Sequence, residues 1–392
     1  MYQIITAQYI FDGDCVLKNH AIVIANDEQL YNQKTMVAVI NIANDNILHE
    51  YQMKYKCKVQ DLGDGIISSG FIDLQVNGCG GVLLNDNISE QTLHTIRNTW
   101  QQHSTPYFLP TLITSSFDDV ILALETVKSW FNKYGNFYGV LGLHLEGPFI
   151  AKAKKGIHQE EFIILPQDYH LQQIISYAKY FPIKMTIAPE SFTNEQLQLL
   201  IQAGIIISIG HSNASYEQTM NAINYGISTT THIFNAMNSL SARQSGVLSA
   251  VLRSDIYAGV ITDLLHVDVN NIKLLTKIKP KHTYIVTDSV TPTATNIKQF
   301  MLAGKQIRVE NGQCLDYDNR LGGAYITMAQ SFSNCVKYCD ISITNVLMMS
   351  TVIPAKVMKL DHIIGYIKPN YLANLIYIDI KNDYYAAPIN DK

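Results

Sequence analysis

Four residues that can bind a metal or move a proton stand at the ends of short apolar runs. Glu146 follows Leu141-Gly142-Leu143-His144-Leu145, His211 follows Ile205-Ile206-Ile207-Ser208-Ile209-Gly210, Asp288 follows Tyr284-Ile285-Val286-Thr287, and His232 closes a similar run. One carboxylate with two imidazoles is a common protein ligand set for a catalytic zinc that keeps an open position for water. A further carboxylate beside them suits proton transfer. Taken singly, Glu146 could cap the following turn, and either histidine could be a hydrogen-bonded core residue. Four such groups at the ends of four similar runs point instead to one metal site.

Groups spread over so much sequence need a scaffold that gathers them. Apolar, β-branched runs at 70–76, 107–113, 139–146, 183–188, 205–210, 228–234, 257–262 and 283–288 alternate with segments of helical periodicity at 88–103, 117–133, 193–203 (Thr193 as N-cap) and 215–225. Eight strands alternating with helices predict an α/β fold, a (β/α)8 TIM-like barrel, whose strand C-termini project side chains into one mouth. Short strand patterns before residue 65, such as 21–25 and 36–40, and another at 372–380, predict a small discontinuous β-sandwich domain built from both termini. The expected division is 1–65 and 356–392 for the small domain and 66–355 for the barrel, with further helices at 325–338 and 342–358.

The chain has 392 residues, 47% hydrophobic and 16% charged, with a mean hydropathy of +0.03. A compact globule with one large and one small domain is the natural expectation. A formal net charge of -4 gives no electrostatic reason for a nucleic-acid or anionic-membrane partner. No apolar run approaches the roughly 18 residues of a membrane span, and Met1-Tyr2-Gln3-Ile4-Ile5-Thr6 lacks the basic stretch and apolar core of a secretory signal, so the expected location is cytoplasmic. The six scattered cysteines are expected to be reduced thiols.

Gly70-Phe71-Ile72-Asp73-Leu74-Gln75-Val76-Asn77-Gly78-Cys79-Gly80-Gly81, His144-Leu145-Glu146-Gly147-Pro148-Phe149, Lys155-Gly156-Ile157-His158, Gly210-His211-Ser212-Asn213-Ala214, Thr231-His232-Ile233-Phe234-Asn235-Ala236-Met237, Leu265-His266-Val267-Asp268 and Val286-Thr287-Asp288 occur in that order. With them the chain resembles the N-acetylglucosamine-6-phosphate deacetylases of the amidohydrolase superfamily. The resemblance implies that Glu146, His211 and His232 bind one divalent metal per subunit, zinc with Fe2+ or Co2+ as alternatives, and that Asp288 is the general acid and base. Many amidohydrolases carry His-x-His at the end of the first strand for a second metal. Here that position reads Gln75-Val76-Asn77, which implies the single-metal branch, with Gln75 contacting a water on the metal or, as the alternative, both Gln75 and Asn77 hydrogen-bonding loop backbone.

For the substrate, the same resemblance implies that His158, preceded by Ile157, orients and polarises the acetyl carbonyl. It implies that Arg243 and His266 bind the phosphate with Asn235 and Ala236 nearby, and that Leu321, Gly322 and Gly323 belong to a loop closing over the sugar. A surface histidine, a solvated arginine and a simple glycine turn are the structural alternatives at these places. In the family the anion-binding pair can come from the neighbouring subunit, which implies a homodimer or a dimer-based tetramer. The expected reaction is hydrolysis of N-acetylglucosamine 6-phosphate, a phosphorylated N-acetyl amino sugar, to glucosamine 6-phosphate and acetate, in catabolism or recycling. The galacto epimer is the nearest alternative substrate. A dihydroorotase-like cyclic-amide hydrolase and a non-catalytic assembly protein are more distant.

Overall fold

The eight apolar runs are eight parallel strands: β1 Ile72–Val76, β2 Tyr107–Ile113, β3 Leu143–Glu146, β4 Ile183–Ile187, β5 Ile206–Ile209, β6 Thr229–Thr230, β7 Tyr257–Ile261 and β8 Thr283–Val286. They are seen in a computed structural model that describes residues 2–27 and 33–389. Each strand pairs with its sequence neighbours, as a barrel of βα units requires. β8 returns to β1 without a regular ladder, through Asp288 N–H to Gln75 O (3.0 Å) and Asn77 N–H to Ser289 O (3.0 Å).

Outer helices form where the periodicity predicts them. Helix Phe117–Tyr134 buries Val120, Ala123, Leu124, Val127 and Trp130, spaced to form one stripe against the strands. Thr193 caps helix Asn194–Gln202 in a reciprocal box with Gln196. The predicted 342–358 helix is two helices, Ile343–Ser350 and Val352–Val357. Pro354 explains the break: it has no N–H to donate, and its ring crowds the carbonyl four residues back. No helix among the described residues is long and apolar enough to cross a membrane.

Between β8 and helix Met328–Tyr338 lies a four-stranded antiparallel sheet, Gln299–Leu302, Lys305–Glu310, Gln313–Leu315 and Leu321–Ala324. The sequence pattern sets no expectation for the first three. Its apolar face, Phe300, Leu302, Ile307 and Cys314, packs on Leu83, Ile113 and Val290 beside the barrel mouth.

The small domain has two sheets. One holds strands 33–41, 20–27, 2–6 and 59–61; the other holds 385–388, 375–379, 66–69, 9–11 and 16–18. Ile5, Ile10, Ile22, Ile24, Ile67 and Leu375 fill the space between them as a sandwich. Helix Asp45–Tyr55 covers the outer face of the first sheet, laying Leu48, Tyr51 and Tyr55 over Ile4, Val23 and Ile40.

Candidate active site

At the ends of β5, β6 and β8 the backbone turns sharply. His211, His232 and Asp288 have φ of +49°, +28° and +54°, in or near the left-handed region, at a cost of about 1–3 kcal/mol each. This turn ends each strand and delivers its last side chain into the mouth. Close packing enforces it at His211: a side chain at Gly210 would come within 2.7 Å of Thr186 and 2.9 Å of Thr231.

The three expected metal-binding groups converge. His211 Nε2 lies 3.2 Å and His232 Nε2 lies 2.9 Å from Glu146 Oε1, and the two nitrogens are 3.1 Å apart. His211 spends its Nδ1 hydrogen on the Lys154 carbonyl at 2.8 Å, which leaves a lone pair on Nε2. Two such nitrogens and a carboxylate oxygen crowded together repel one another unless a proton or a cation lies among them, so the donor set fits a divalent metal. Glu146, His158 and His211 also present ligand atoms within 4.8 Å of one another, so His158 faces the same point. With a proton in place of a metal among these atoms, burial would raise the Glu146 carboxyl, but hydrogen bonds from the His211 and His232 imidazoles outweigh it and hold the group well below its ordinary range. Burial likewise lowers His232, and its bond to Glu146 more than reverses this.

Asp288 stands opposite, lining the same cavity of about 180 Å³. Burial, then the charge of Glu146, pushes its carboxyl up to about 6, against His232 and the Asn77 hydrogen bond. Such a group can accept and return a proton near neutral pH. Gln75 does not hydrogen-bond loop backbone through its amide nitrogen: Nε2 donates to both Glu146 oxygens (3.1 Å each) and to Asp288 Oδ1 (3.0 Å). Asn77 Nδ2 donates to the same Oδ1 at 2.7 Å. Asn77 Oδ1 and Asn235 Nδ2, on residues that line the cavity, are buried without partners, which suits a cavity built for a polar guest.

His158 is buried rather than on the surface, and burial lowers it to about 3, so it is a neutral imidazole. Its Nδ1 pairs with Thr114 Oγ1 at 2.7 Å, leaving Nε2 for the cavity. Ile157, Asn235, Ala236, His266, Leu321 and Gly323 line the cavity too, whereas Gly322 does not. The expected loop at 321–323 is an edge strand, because Leu321–Ala324 pairs with Gln313–Leu315. Gly323 has a φ of +70°, and a side chain there would strike Val290 at 2.3 Å. The expected anion pair is separated within one chain: His266 lines the cavity, held by Asp263 at 2.6 Å, while Arg243 lies on an exposed segment outside it. Among the described residues the lining contains no lysine or arginine.

Beneath the mouth lies a polar floor that the sequence reading does not anticipate. His144 contacts Thr111 (3.1 Å), Thr186 (2.7 Å) and Lys184 (3.2 Å), and Thr186 continues through Thr231 (2.6 Å) to Ser208 (2.6 Å). Burial lowers Lys184 to about 8, with Glu146, Asp288 and Asp73 opposing. The signal was alternation: His144-x-Glu146 and Lys184-x-Thr186 put two polar groups on the inner face of one strand.

A parallel eight-stranded barrel carrying a buried His/Glu cluster that could bind a metal, beside a further buried carboxyl, fits a barrel hydrolase of the metal-assisted kind. The chain belongs to the amidohydrolase family, whose model matches residues 66–392. It is 35% identical over 351 residues to the N-acetylglucosamine-6-phosphate deacetylase of Haemophilus influenzae, covering 88% of this chain and 91% of that one. It is 30% identical over 332 residues to the N-acetylgalactosamine-6-phosphate deacetylase of a Shewanella species, covering 81% and 80%. The crystal structure of N-acetylglucosamine-6-phosphate deacetylase from Pasteurella multocida superposes with a TM-score of 0.90 at 35% identity, covering 98% of this chain and 97% of that one.

Proposed function

We propose that the chain hydrolyses N-acetylglucosamine 6-phosphate to glucosamine 6-phosphate and acetate. The observation that carries this is the juxtaposition of the Glu146–His211–His232 cluster with Asp288 at one barrel mouth, in a chain 35% identical to a deacetylase of that substrate. Glu146, His211 and His232 would hold one divalent metal. When bound there, such a cation polarises the acetamide carbonyl and makes a neighbouring water more acidic. Asp288 takes a proton from the attacking water as its oxygen bonds to the acyl carbon. It then gives that proton to the amide nitrogen as the C–N bond breaks, so an amine leaves rather than an amide anion. Neutral His158 donates from Nε2 to the carbonyl oxygen as negative charge develops on it. Gln75 and Asn77 hold the Asp288 carboxylate with their amide hydrogens.

A phosphate in this cavity meets His266 but no arginine among the described residues of the same chain. Arg243 lies within the exposed stretch 239–245, beside Leu240, which is 54% exposed. This arrangement supports a homodimer in which Arg243 enters the neighbouring subunit's site, where its planar donors suit phosphate.

The test is acetate release from N-acetylglucosamine 6-phosphate, its galacto epimer and unphosphorylated N-acetylglucosamine, with metal analysis of the same sample. Preferred turnover of the gluco phosphate at about one metal per chain is expected. A metal-loaded sample that releases acetate from none of the three would overturn the reading; preference for the galacto epimer would keep the chemistry and change the substrate.

A further inference from the structure

We propose that Asp73 and Thr287, neither of which lines the cavity, are positioning residues that set the carboxylate of Asp288. The inference rests on the deacetylase reading, because that reading gives Asp288 the proton transfer.

The seam between β1 and β8 is where the barrel is least regularly bonded, and Asp288 emerges directly from it. Asp288 also holds a left-handed backbone conformation that no glycine relieves, so its neighbours must hold it there. Its own backbone is gripped at both ends: N–H to Gln75 O at 3.0 Å, and C=O from Ala324 N–H at 2.9 Å. The residues flanking it are gripped by one chain of bonds. Thr287 N–H donates to Asp73 Oδ1 at 3.2 Å, and the Thr287 hydroxyl donates to Asp73 Oδ2 at 2.5 Å. The same hydroxyl accepts from Ser289 N–H at 3.2 Å. Asp73 Oδ1 also accepts from Gln75 N–H at 3.2 Å, so the strand that carries Gln75 and Asn77 shares the anchor.

The chemistry of the two side chains suits this task. A carboxylate offers two acceptor oxygens, so it takes an N–H on one and an O–H on the other at once. The threonine hydroxyl donates to Asp73, the Gln75 carbonyl being a more distant acceptor at 3.5 Å, while its own oxygen accepts from Ser289. Both side chains are fully buried, and no ion pair to Asp73 occurs among the described residues. A buried carboxyl without a cation partner is costly as mere packing. Here its bonds converge on the two residues that bracket Asp288.

The experiment compares wild-type holoenzyme with Thr287→Val and Thr287→Ser at about pH 8, by acetate release, metal analysis and thermal melting. Valine keeps the shape and deletes the hydroxyl; serine restores the hydroxyl. The expected result is a kcat about 10- to 100-fold lower for Thr287→Val. KM is expected within about threefold of wild type, metal content unchanged, and kcat largely restored in Thr287→Ser. A folded Thr287→Val with kcat within about twofold of wild type overturns the proposal, as does a loss of kcat matched by equal loss of metal. If Thr287→Val does not accumulate as folded protein, Thr287→Cys, a weak donor of similar size, replaces it under the same criteria. Wild-type enzyme that releases no acetate overturns the deacetylase reading itself; an active wild type with indifferent variants overturns the positioning roles alone.

Discussion

Asn77 donates its amide hydrogen to Asp288 Oδ1 across 2.7 Å, and both residues line the same cavity. Gln75 donates to the same oxygen, so neither amide engages Oδ2. Asn77→Ala is expected to retain metal and to lower kcat about tenfold, since one hydrogen bond to a charged group is worth about 1.5–3 kcal/mol and Gln75 still holds Asp288. Unchanged kcat would remove Asn77 from the proton-transfer apparatus.

Asp288→Asn keeps the shape of the site and removes the proton acceptor. It should bind metal as wild type does and lose about 100- to 10,000-fold in turnover, read by single-turnover acetate release. Substantial residual turnover would move the acid and base role to another group.

His211→Ala should lose metal and activity together, because Glu146 and His232 then lack their shared partner. Metal analysis after dialysis checks this, with an expected affinity loss beyond about 100-fold. A metal-replete, active variant would contradict the ligand set.

Arg243→Ala is expected to raise KM for the phosphorylated sugar by about 10- to 100-fold while leaving an unphosphorylated analogue little affected. Mixing Arg243→Ala with Asp288→Asn subunits should restore a low-KM site, since each mixed dimer pairs an intact Asp288 with an intact arginine. No recovery in mixed dimers would place Arg243 outside the neighbour's site.

Asp73 gives a stability prediction. Burial raises its carboxyl to about 7 in the fold, from 3.8, against the bonds from Thr287. Between those values the unfolded chain has lost the proton and the folded chain has kept it, so stability falls as pH rises from about 4 to 7 and then levels. Asp73→Asn cannot ionise. Its melting temperature should therefore decline less over that window than that of the wild type, and parallel curves would show Asp73 ionised throughout.

The barrel was legible because most of its eight strands are compact apolar runs, Thr229–Thr230 being marked only by β-branched residues, and because Glu146, His211, His232 and Asp288 mark strand ends. What escaped was encoded in finer signals. The turn at Asn311-Gly312, with φ of +50° and +78°, marks a hairpin of the antiparallel sheet, yet its strands are short and half exposed. Helix 45–55 shows only a thin apolar stripe. At the site, Asp73, Gln75 and Asn77 alternate along one strand, so all could face inward, but which carboxylates they touch depends on β3 and β8. The displacement of Arg243 from its own cavity depends on the path of an exposed loop, which no local pattern dictates.

Strand 66–69, which leads into the barrel, lies between strand 9–11 and strand 375–379 in one sheet. During vectorial synthesis on the ribosome, its far neighbour emerges only after all eight barrel strands. The small domain thus acts as a clasp that shuts last, and until it does, the strand at the barrel's entrance keeps an open edge available to other chains.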